Sequence, residues 1–309
     1  MFDLIIIGGG PAGITAGIYA SRKKLKTLLI TKDFSSQITK TGQIDNWPGD
    51  MAIKGMDLAL KLEKHLKEFS IEIKTGHKVV AIKKTGNGFF VQTENNEQFE
   101  TKTIIIATGR NARVLGIDGE KDFVGKGLSY CSICDAPFFK DKQVCVIGSG
   151  NAGVETALDL VKYAKKVIIF EKSGKSVADE LLQDKAKETG KIEFSFNSEI
   201  AKIEGTGKVQ SVIYKDLKTD KNLQQPMDGV FVQIGSVPAT GFLGKLVSFN
   251  FQNEIEVNNT DFSSSVKGIF AVGDCNNTKW KQAIVAAGQG AIGALAVYEY
   301  LQGINDQLT

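Results

Sequence analysis

Apolar runs of four or five residues, each leading into a glycine-rich turn, are the main pattern of this chain. Residues 4–7 form such a run, and the turn after them passes into a helix-compatible stretch that includes Ala16 and Tyr19. Residues 143–147 repeat this order, with a helix predicted over residues 151–163. A continuous apolar run is typical of a parallel strand that is buried on both faces. The pattern therefore predicts an α/β fold.

The remaining segments extend this pattern to the end of the chain. Helices are predicted over residues 56–69 and 283–301, and strands within residues 27–30, 71–101, 102–109, 166–171, 192–215, 230–235 and 267–274. This order predicts two dinucleotide-binding domains with a Rossmann-like, three-layer ββα architecture, the second inserted in the first. Looser, glycine-containing stretches begin near Val114 and near Ala239. We therefore expect one domain over residues 1–115 and 246–309, and the other over residues 116–245.

Composition and charge exclude several classes of function. A net charge of +3 over 309 residues is too small to indicate a nucleic-acid or membrane-lipid partner. We expect no stretch with the roughly 18 consecutive apolar residues that a membrane-spanning helix needs. The opening residues 1–7 lack a basic flank and run into a glycine turn, so they predict a strand and not a signal peptide. A cytoplasmic location is the resulting expectation.

The first glycine turn has the spacing of a dinucleotide-binding motif. Its residues are Gly8, Gly10, Pro11, Ala12 and Gly13. Glycines allow a tight turn and a close approach of the backbone, and the start of the following helix receives a pyrophosphate. The next strand ends in Thr31 and Lys32, where an NAD-binding site usually has an acidic residue. This departure argues against an NAD-type ligand at the first turn.

The second glycine turn includes the acidic residue that the first one lacks. Its residues are Gly148, Gly150, Asn151, Ala152 and Gly153. Glu171 follows Gly153 by 18 residues, at the end of the next strand. A carboxylate there can accept both ribose hydroxyls of NADH and repels the 2′-phosphate of NADPH. The alternative for Glu171 is an ordinary surface charge.

Two of the four cysteines have the spacing of a redox-active or metal-binding pair. Cys131 and Cys134 can close a small disulfide ring, and such a pair is more often redox-active or metal-binding than structural. Zinc needs two further ligands, and the two histidines lie far away in sequence, so no metal is expected. Cys145 lies in an apolar run and predicts a buried thiol, whereas Cys275 has no assigned role.

These motifs together identify a resemblance that covers essentially the whole chain. The chain resembles the low-molecular-weight thioredoxin reductases. The motifs that carry the resemblance are Gly8-x-Gly10-x-x-Gly13, Asn46-Trp47-Pro48-Gly49, Ala107-Thr108-Gly109, Cys131-x-x-Cys134-Asp135, Gly273-Asp274 and Lys281-Gln282-Ala283, with Lys281 where that family commonly has arginine.

The resemblance implies FAD in the first domain and NAD(P)H together with the redox dithiol in the second. Asp274 would bind the ribityl chain, and the segments around Asn46 and around Gln282 would contact the flavin. The FAD-binding residues implied in this way are Gly8, Gly10, Pro11, Ala12, Gly13, Gln43, Asn46, Ala107, Thr108, Gly109, Gly273, Asp274, Lys281, Gln282 and Ala283. The missing acid after the second strand is tolerated in that family, so FAD remains compatible with the first turn.

The resemblance also implies catalytic roles for three residues. Cys134 looks like the thiol that faces the flavin, and Cys131 like the thiol that attacks the disulfide of the partner protein. Asp135 looks like the acid that protonates the departing thiolate. These roles agree with the chemistry, because thiolates are the nucleophiles in disulfide exchange and a neighbouring carboxyl can supply a proton.

One segment departs from the thioredoxin reductases that use NADPH. Those enzymes carry a His-Arg-Arg stretch, whereas residues 170–173 here are Phe-Glu-Lys-Ser. That segment is more similar to the flavoprotein subunit of alkyl hydroperoxide reductase, which uses NADH. We therefore expect NADH in preference to NADPH.

The function expected from the sequence is an FAD-dependent disulfide reductase. It would pass electrons from NADH, or less favourably NADPH, through flavin and the Cys131–Cys134 disulfide to thioredoxin or a thioredoxin- or glutaredoxin-like dithiol protein. Three alternatives are a relative that takes electrons from ferredoxin, a flavin dithiol oxidase, and a redox-sensing binding module without turnover. A homodimer is the family expectation.

Overall fold

The computed structural model describes residues 1–40, 43–44 and 46–306, and the side chains of Lys40, Gln43, Ile133, Cys134 and residues 304–306 lie outside that description. The strands are β1 (Phe2–Ile7), β2 (Thr27–Thr31), β3 (Gln43–Ile44), β4 (Ile53–Lys54), β5 (Glu72–Thr75), β6 (Val79–Thr85), β7 (Gly88–Thr93), β8 (Gln98–Ile106), β9 (Arg110–Ala112), β10 (Leu128–Ser129), β11 (Gln143–Ile147), β12 (Lys166–Glu171), β13 (Ile192–Phe196), β14 (Ser198–Gly205), β15 (Val209–Asp216), β16 (Lys221–Pro226), β17 (Gly229–Val232), β18 (Ser236–Pro238) and β19 (Ile269–Ala271). The helices are α1 (Pro11–Arg22), α2 (Gly55–Lys67), α3 (Glu120–Phe123), α4 (Ser132–Asp135), α5 (Asn151–Leu160), α6 (Glu180–Glu188) and α7 (Ala283–Asp306).

The chain divides into two units, the second of which is an insertion within the first. The first unit comprises residues 1–111 and 237–309, and the second comprises residues 112–236. Each unit has a sheet with a set of parallel strands and a glycine turn after one of these strands, so the prediction of an α/β fold with one nucleotide-binding fold inserted in another is confirmed.

The sheet of the first unit has seven strands. Its order is β5-β2-β1-β8-β7-β6, and β19 pairs with β8. The strands β5, β2, β1, β8 and β19 are parallel to their neighbours, whereas β6 and β7 form an antiparallel extension. The chain therefore returns from the inserted unit to complete the sheet beside β8.

Side chains of β1 alternate between two buried faces of this sheet. Leu4 and Ile6 pack into a core with residues of α1 and α7, while Ile5 and Ile7 pack into the opposite core with residues of β6 and β7. All four are almost fully buried. This burial on both faces explains why the strand is a continuous apolar run.

The second unit repeats this layering with fewer strands. Its five-stranded parallel sheet has the order β10-β17-β11-β12-β13, and β14, β15 and β16 form an antiparallel sheet. Val144 and Val146 of β11 face the core that includes α5, whereas Cys145 and Ile147 face the core that includes β14 and β15. The unit therefore has a helical layer, a parallel sheet and an antiparallel sheet.

The helix α7 corrects one expectation from the sequence. Its 21-residue stretch Ala283–Gly303 is long and apolar enough, by length and composition, to cross a membrane. However, Ala294, Val297 and Leu301 lie in the core of the first unit. A core helix of a soluble protein passes the same length and composition test, so the stretch is weak evidence for a membrane.

Candidate active site

The first glycine turn joins β1 to α1 in the first unit. Gly8 has a φ of 119°, and a Cβ atom there would lie 2.3 Å from the carbonyl oxygen of Ala107. A Cβ on Gly13 would lie 1.9 Å from the carbonyl oxygen of Gly8. Gly10 stands at the N-cap of α1 and has no side chain with which to cap it, so the start of the helix is open to an anionic ligand.

Two other predicted segments meet this turn. Ala107 contacts it at the end of β8, because a Cβ on Gly13 would lie 3.4 Å from the Ala107 Cβ. Gly273 lies next to Ala12, because a Cβ added to Gly273 would lie 3.0 Å from the Cβ of Ala12. The N–H of Gly273 donates to Gln289 Oε1 at 2.7 Å. The fold therefore brings together motifs that lie more than 90 residues apart in sequence.

A charged cluster lies in the same unit, on the segments that follow β8 and precede α7. Glu254 is 6% exposed; its Oε1 accepts from Arg110 Nη1 at 2.9 Å and from Lys281 Nζ at 3.1 Å. Burial alone would raise the pKa of Glu254, but hydrogen bonds from Asn250 and Lys281 outweigh it and lower the pKa. Burial raises the pKa of Asp274, against the opposing charges of Lys281 and Arg110. Asp274 is thus a half-buried acid near two cations.

The polar side chains predicted to contact the flavin ring also converge in part. Asn46 Nδ2 donates to Gln282 Oε1 at 3.0 Å, across 236 positions of sequence. Ala283 is the first residue of α7. The side chain of Gln43 lies outside the described residues, so only its place in β3 is known.

Two buried hydroxyls bear on whether this unit fits FAD. Among the described residues, Ser36 Oγ and Thr108 Oγ1 are buried without a nitrogen or oxygen partner. Ser36 borders the first glycine turn, 3.6 Å from a Cβ on Gly10 to the Ser36 Cβ, and Thr108 has the weakly accepting thiol of Cys275 beside it. Buried hydroxyls without partners are costly, and a polar ligand would satisfy them. The open helix start and these hydroxyls fit the phosphates and polar edges of FAD.

The second glycine turn joins β11 to α5 in the second unit. Gly148 has a φ of 103°, and a Cβ on Gly153 would lie 2.0 Å from the carbonyl oxygen of Gly148. Gly150 stands at the N-cap of α5. Asn151 anchors the helix start, since its Nδ2 donates to Asp179 Oδ2 at 2.9 Å and its Oδ1 accepts from the Asp179 N–H at 2.8 Å. Ala152, the next residue, is exposed.

Glu171 ends β12 and lies against this turn. Its Oε2 accepts from the N–H of Ser149 at 2.9 Å and from the hydroxyl of Ser149 at 2.7 Å, and its Oε1 accepts from the N–H of Ser173 at 2.8 Å. Burial alone would raise the pKa of Glu171, but the hydrogen bonds from Ser173 and Ser149 outweigh it and lower the pKa. The group is therefore a carboxylate at neutral pH. Lys172, the next residue, pairs with Glu199 at 2.6 Å.

The predicted dithiol lies in the same unit as the second glycine turn. Cys131 follows β10, is 8% exposed and is disulfide-bonded. Cys134 is in the short helix α4, and its side chain lies outside the described residues. Asp135 ends that helix and is half-buried. Cys145 is a buried free thiol, as predicted from its apolar run.

The backbone before Cys131 is held by side chains that the sequence analysis did not identify. Ser129 Oγ accepts from the Cys131 N–H at 3.0 Å, and Gln233 Nε2 donates to the Tyr130 carbonyl at 3.4 Å. Gln233 also borders the second glycine turn, because its carbonyl oxygen lies 2.3 Å from a Cβ on Gly148. The dithiol and the nucleotide turn are therefore joined within one unit.

Glu120 is a second feature that the sequence analysis missed. It is 3% exposed; its Oε1 accepts from the Tyr130 hydroxyl at 2.6 Å and from the Leu115 N–H at 2.7 Å, and its Oε2 from the Gly116 N–H at 2.7 Å. Burial alone would raise the pKa of Glu120, but these hydrogen bonds lower it. Burial and the Glu120 carboxylate raise the pKa of Tyr130. The many glycines in the stretch that begins near Val114 indicate only a linker in the sequence.

No group of three or more metal-ligating acidic, histidine or cysteine side chains occurs in the described part of the chain. The buried thiol of Cys275 has its pKa raised to about 11 by burial, which makes a thiolate there unfavourable at neutral pH. The candidate chemistry thus concentrates at the two glycine turns and the dithiol.

Comparison with known proteins agrees with this geometry. Residues 2–290 match the family model described as pyridine nucleotide-disulphide oxidoreductase. Two curated relatives, the F components of alkyl hydroperoxide reductase in Staphylococcus epidermidis and in Staphylococcus aureus, are each 36% identical over 300 residues, 97% of this chain. The chain spans 59% of the length of these relatives.

Among solved structures, thioredoxin reductase from Lactococcus lactis in its FR conformation has a TM-score of 0.90 at 35% identity, covering 98% of this chain and all of that one. The T. acidophilum thioredoxin reductase has a TM-score of 0.86 at 33% identity, covering 100% and 99% of the two chains. The resemblance predicted from the motifs is confirmed, and the family match supports the expected FAD-dependent disulfide reductase. The chain belongs to the pyridine nucleotide-disulphide oxidoreductases, a family of enzymes that use FAD and NAD(P)H.

Proposed function

We propose that the protein is an FAD-dependent disulfide reductase that takes electrons from NADH and delivers them to thioredoxin or a thioredoxin- or glutaredoxin-like dithiol protein. The observation that carries this proposal is the combination, on one chain, of two nucleotide turns and a disulfide-bonded Cys131. Its family membership supplies the class of reaction.

The first unit would hold FAD and the second would hold NADH. The first glycine turn and the start of α1 would receive the FAD pyrophosphate, and Asp274 would bind the ribityl chain. The second glycine turn would receive the pyrophosphate of the nicotinamide nucleotide. The flavin, when bound, accepts a hydride from the nicotinamide and passes two electrons on to a disulfide.

Within the second unit, Cys131 and Cys134 would form the redox disulfide. After its reduction, the thiolate of Cys131 attacks one sulfur of the partner disulfide and forms a mixed disulfide, while the other partner sulfur leaves as a thiolate. Asp135 donates the proton that this leaving thiolate takes up. Cys134 then attacks Cys131, which restores the disulfide and releases the partner as a dithiol.

The preference for NADH rests on Glu171. Its carboxylate is ionised and lies at the second glycine turn, where it would accept a ribose hydroxyl and repel a 2′-phosphate. The adjacent cation, Lys172, is engaged by Glu199. This environment disfavours the extra phosphate of NADPH.

We further propose a cytoplasmic homodimer. The support is the resemblance to thioredoxin reductases together with apolar side chains one turn apart on α2, Met56 and Leu60, which are 51% and 56% exposed. Light scattering after gel filtration should give about twice the chain mass of 33.4 kDa; the mass of a single chain would reject the dimer.

The test of the function is an anaerobic titration of the purified yellow protein with NADH and, in parallel, NADPH. The wild-type protein should take up about two equivalents of NADH, one for the flavin and one for the disulfide. The variant Cys131→Ser should still bleach but take up about one equivalent, and should lose reduction of a thioredoxin substrate.

Cys145→Ala is the matched control, because it removes a buried thiol that plays no part in this scheme, and it should take up two equivalents. Two equivalents in Cys131→Ser would contradict the disulfide's role. If neither nucleotide bleaches the flavin, the proposed electron donor is wrong.

A further inference from the structure

Ser149 lies inside the second glycine turn and is fully buried. Both of its donors, the N–H and the hydroxyl, bond to the same oxygen of Glu171, Oε2. The other oxygen, Oε1, accepts from the N–H of Ser173. The Glu171 carboxylate therefore has three fixed donors, two of them from a single residue of the turn.

The count of these donors defines what Glu171 can still bind. A carboxylate offers about four acceptor positions, two on each oxygen. Ser149 uses both positions on Oε2, and Ser173 uses one on Oε1. The hydroxyl of Ser173 also lies close to this carboxylate, but it donates its proton to the Lys175 carbonyl at 2.6 Å. One position on Oε1 therefore remains for a ligand, so we expect Glu171 to accept one ribose hydroxyl and not both.

Ser149 is itself held by the segment that follows Glu171. Its carbonyl accepts from the hydroxyl of Ser176 at 2.6 Å, and Ser176 Oγ accepts from the N–H of Ala178 at 3.2 Å. Both Ser149 and Ser176 are buried. The turn and the segment after β12 are thus fastened together around the Glu171 side chain.

We propose that Ser149 is a positioning residue for nucleotide selection: its hydroxyl fixes Glu171 against the glycine turn so that Oε1 alone is presented to the adenosine ribose of NADH. A glutamate side chain has three rotatable bonds, and fixing them before the ligand arrives removes that entropy cost from binding. Fixing the charge also keeps it where a 2′-phosphate would have to sit. This inference rests on the proposed function, since it assumes that the second turn binds NADH.

The experiment measures binding of NAD⁺ and NADP⁺ to the full-length holoenzyme by isothermal titration calorimetry, so that no turnover is needed. In Ser149→Ala the backbone N–H bond to Glu171 remains and the hydroxyl bond is lost. We expect NAD⁺ to bind about fivefold more weakly, the effect of one hydrogen bond of ordinary strength, and NADP⁺ to bind no more weakly than before. The ratio of the two affinities should therefore fall about fivefold.

The matched control is Ser176→Ala, which removes a buried hydroxyl that bonds to the same turn but removes no donor from Glu171. Both nucleotides should change together in that variant, leaving their ratio constant. In NADH titrations, Ser149→Ala should raise KM and leave kcat within about twofold, because the hydroxyl acts on binding and not on the reacting atoms.

An unchanged ratio of NAD⁺ to NADP⁺ affinity in Ser149→Ala, or an equal change in Ser176→Ala, would overturn the role of Ser149. That result leaves the proposed function intact, provided that the wild-type protein binds NAD⁺. If wild type binds neither nucleotide, the proposed function fails first, and the two failures are therefore distinguishable.

Discussion

The two glycine turns have almost the same backbone. The first glycine of each turn, Gly8 or Gly148, has a φ of 119° or 103°. A Cβ on the last glycine of the motif, Gly13 or Gly153, would lie 1.9 Å or 2.0 Å from the carbonyl oxygen of that first glycine. The N-cap glycines are both extended, with φ and ψ of −82° and −177° in one and −75° and 178° in the other. The two turns therefore have equivalent backbones, as the proposed binding of a pyrophosphate at each of them requires.

The difference between the turns lies at the end of the next strand. In the first unit β2 ends at Thr31, whose hydroxyl donates to the carbonyl of Asp33 at 2.6 Å and so is used within its own turn. In the second unit β12 ends at Glu171, whose carboxylate is held by Ser149 of the glycine turn. In the proposed function, the glycines of each turn would bind a dinucleotide, and the side chain at the strand end would decide which dinucleotide that is.

The largest expected effect comes from breaking one turn and sparing the other. Gly153→Ala places a Cβ against the Gly148 carbonyl, which must move, at a cost of about 3 kcal/mol or roughly 100-fold in NAD⁺ affinity. The flavin content should stay at the wild-type level. Calorimetry for NAD⁺ and absorbance of the bound flavin measure the two effects.

The mirror variant is Gly13→Ala, which makes the same clash in the first unit. It should lose flavin during purification and retain NAD⁺ binding. A variant pair in which both changes remove both ligands would contradict the assignment of one ligand to each unit.

A smaller effect is expected from Glu171→Gln. This change removes the negative charge by which the end of β12 differs from the end of β2. The amide still offers an oxygen but no longer repels a phosphate, so the preference for NADH over NADPH should fall about 30-fold, or roughly 2 kcal/mol. Stopped-flow bleaching of the flavin with each nucleotide checks this. Thr31→Val, at the equivalent place in the first unit, should leave that preference unchanged; a 30-fold effect there would reject the comparison.

The last effects concern the stability of the fold and the buried carboxylates, which also differ between the units. Glu254 of the first unit is held by cations, whereas Glu120 of the second is held by Tyr130 and two backbone N–H groups. Glu120→Gln should lower the free energy of unfolding by about 2 kcal/mol at pH 7, and Tyr130→Phe by about 1 kcal/mol. Urea unfolding of each variant measures these losses.

The pH dependence of Glu120→Gln has a defined sign. The pKa of Glu120 is lowered in the folded protein, so its stabilisation is present above its ordinary pKa of 4.5 and is lost as the pH falls through the folded value. The stability difference between Glu120→Gln and wild type should therefore shrink below pH 4.5. A difference that is constant with pH would show that the charge of Glu120 is not the cause.

Much of the fold could be predicted because local patterns report burial. The helix predicted over residues 56–69 is α2, Gly55–Lys67, and the one predicted over residues 283–301 is α7, Ala283–Asp306. The strand β16 was missed because its residues Lys221–Pro226 are mostly polar and almost all exposed. Backbone pairing with β15 holds it in place, and such pairing leaves no hydrophobic pattern in the sequence.

The candidate site divides in the same way. The glycine turns and Glu171 could be predicted since each follows a strand at a fixed spacing. The ion pair of Arg110 and Glu254 could not be predicted, because 144 residues separate the two and only the tertiary fold brings them together. The bond between Ser149 and Glu171 was missed for a related reason, as a hydroxyl within a glycine motif has no spacing rule of its own.

The insertion of one unit into the other has a consequence for how the protein is made. The sheet of the first unit is completed by β19, and α7 packs so closely on α1 that a Cβ on Gly290 would lie 2.1 Å from the Ala12 carbonyl. The second unit ends at residue 236, so all of it has been synthesised before β19 and α7. Because domains fold as units during synthesis, we expect the second unit, with its glycine turn and dithiol, to fold first. The first unit would then be completed later, and FAD would bind to it last.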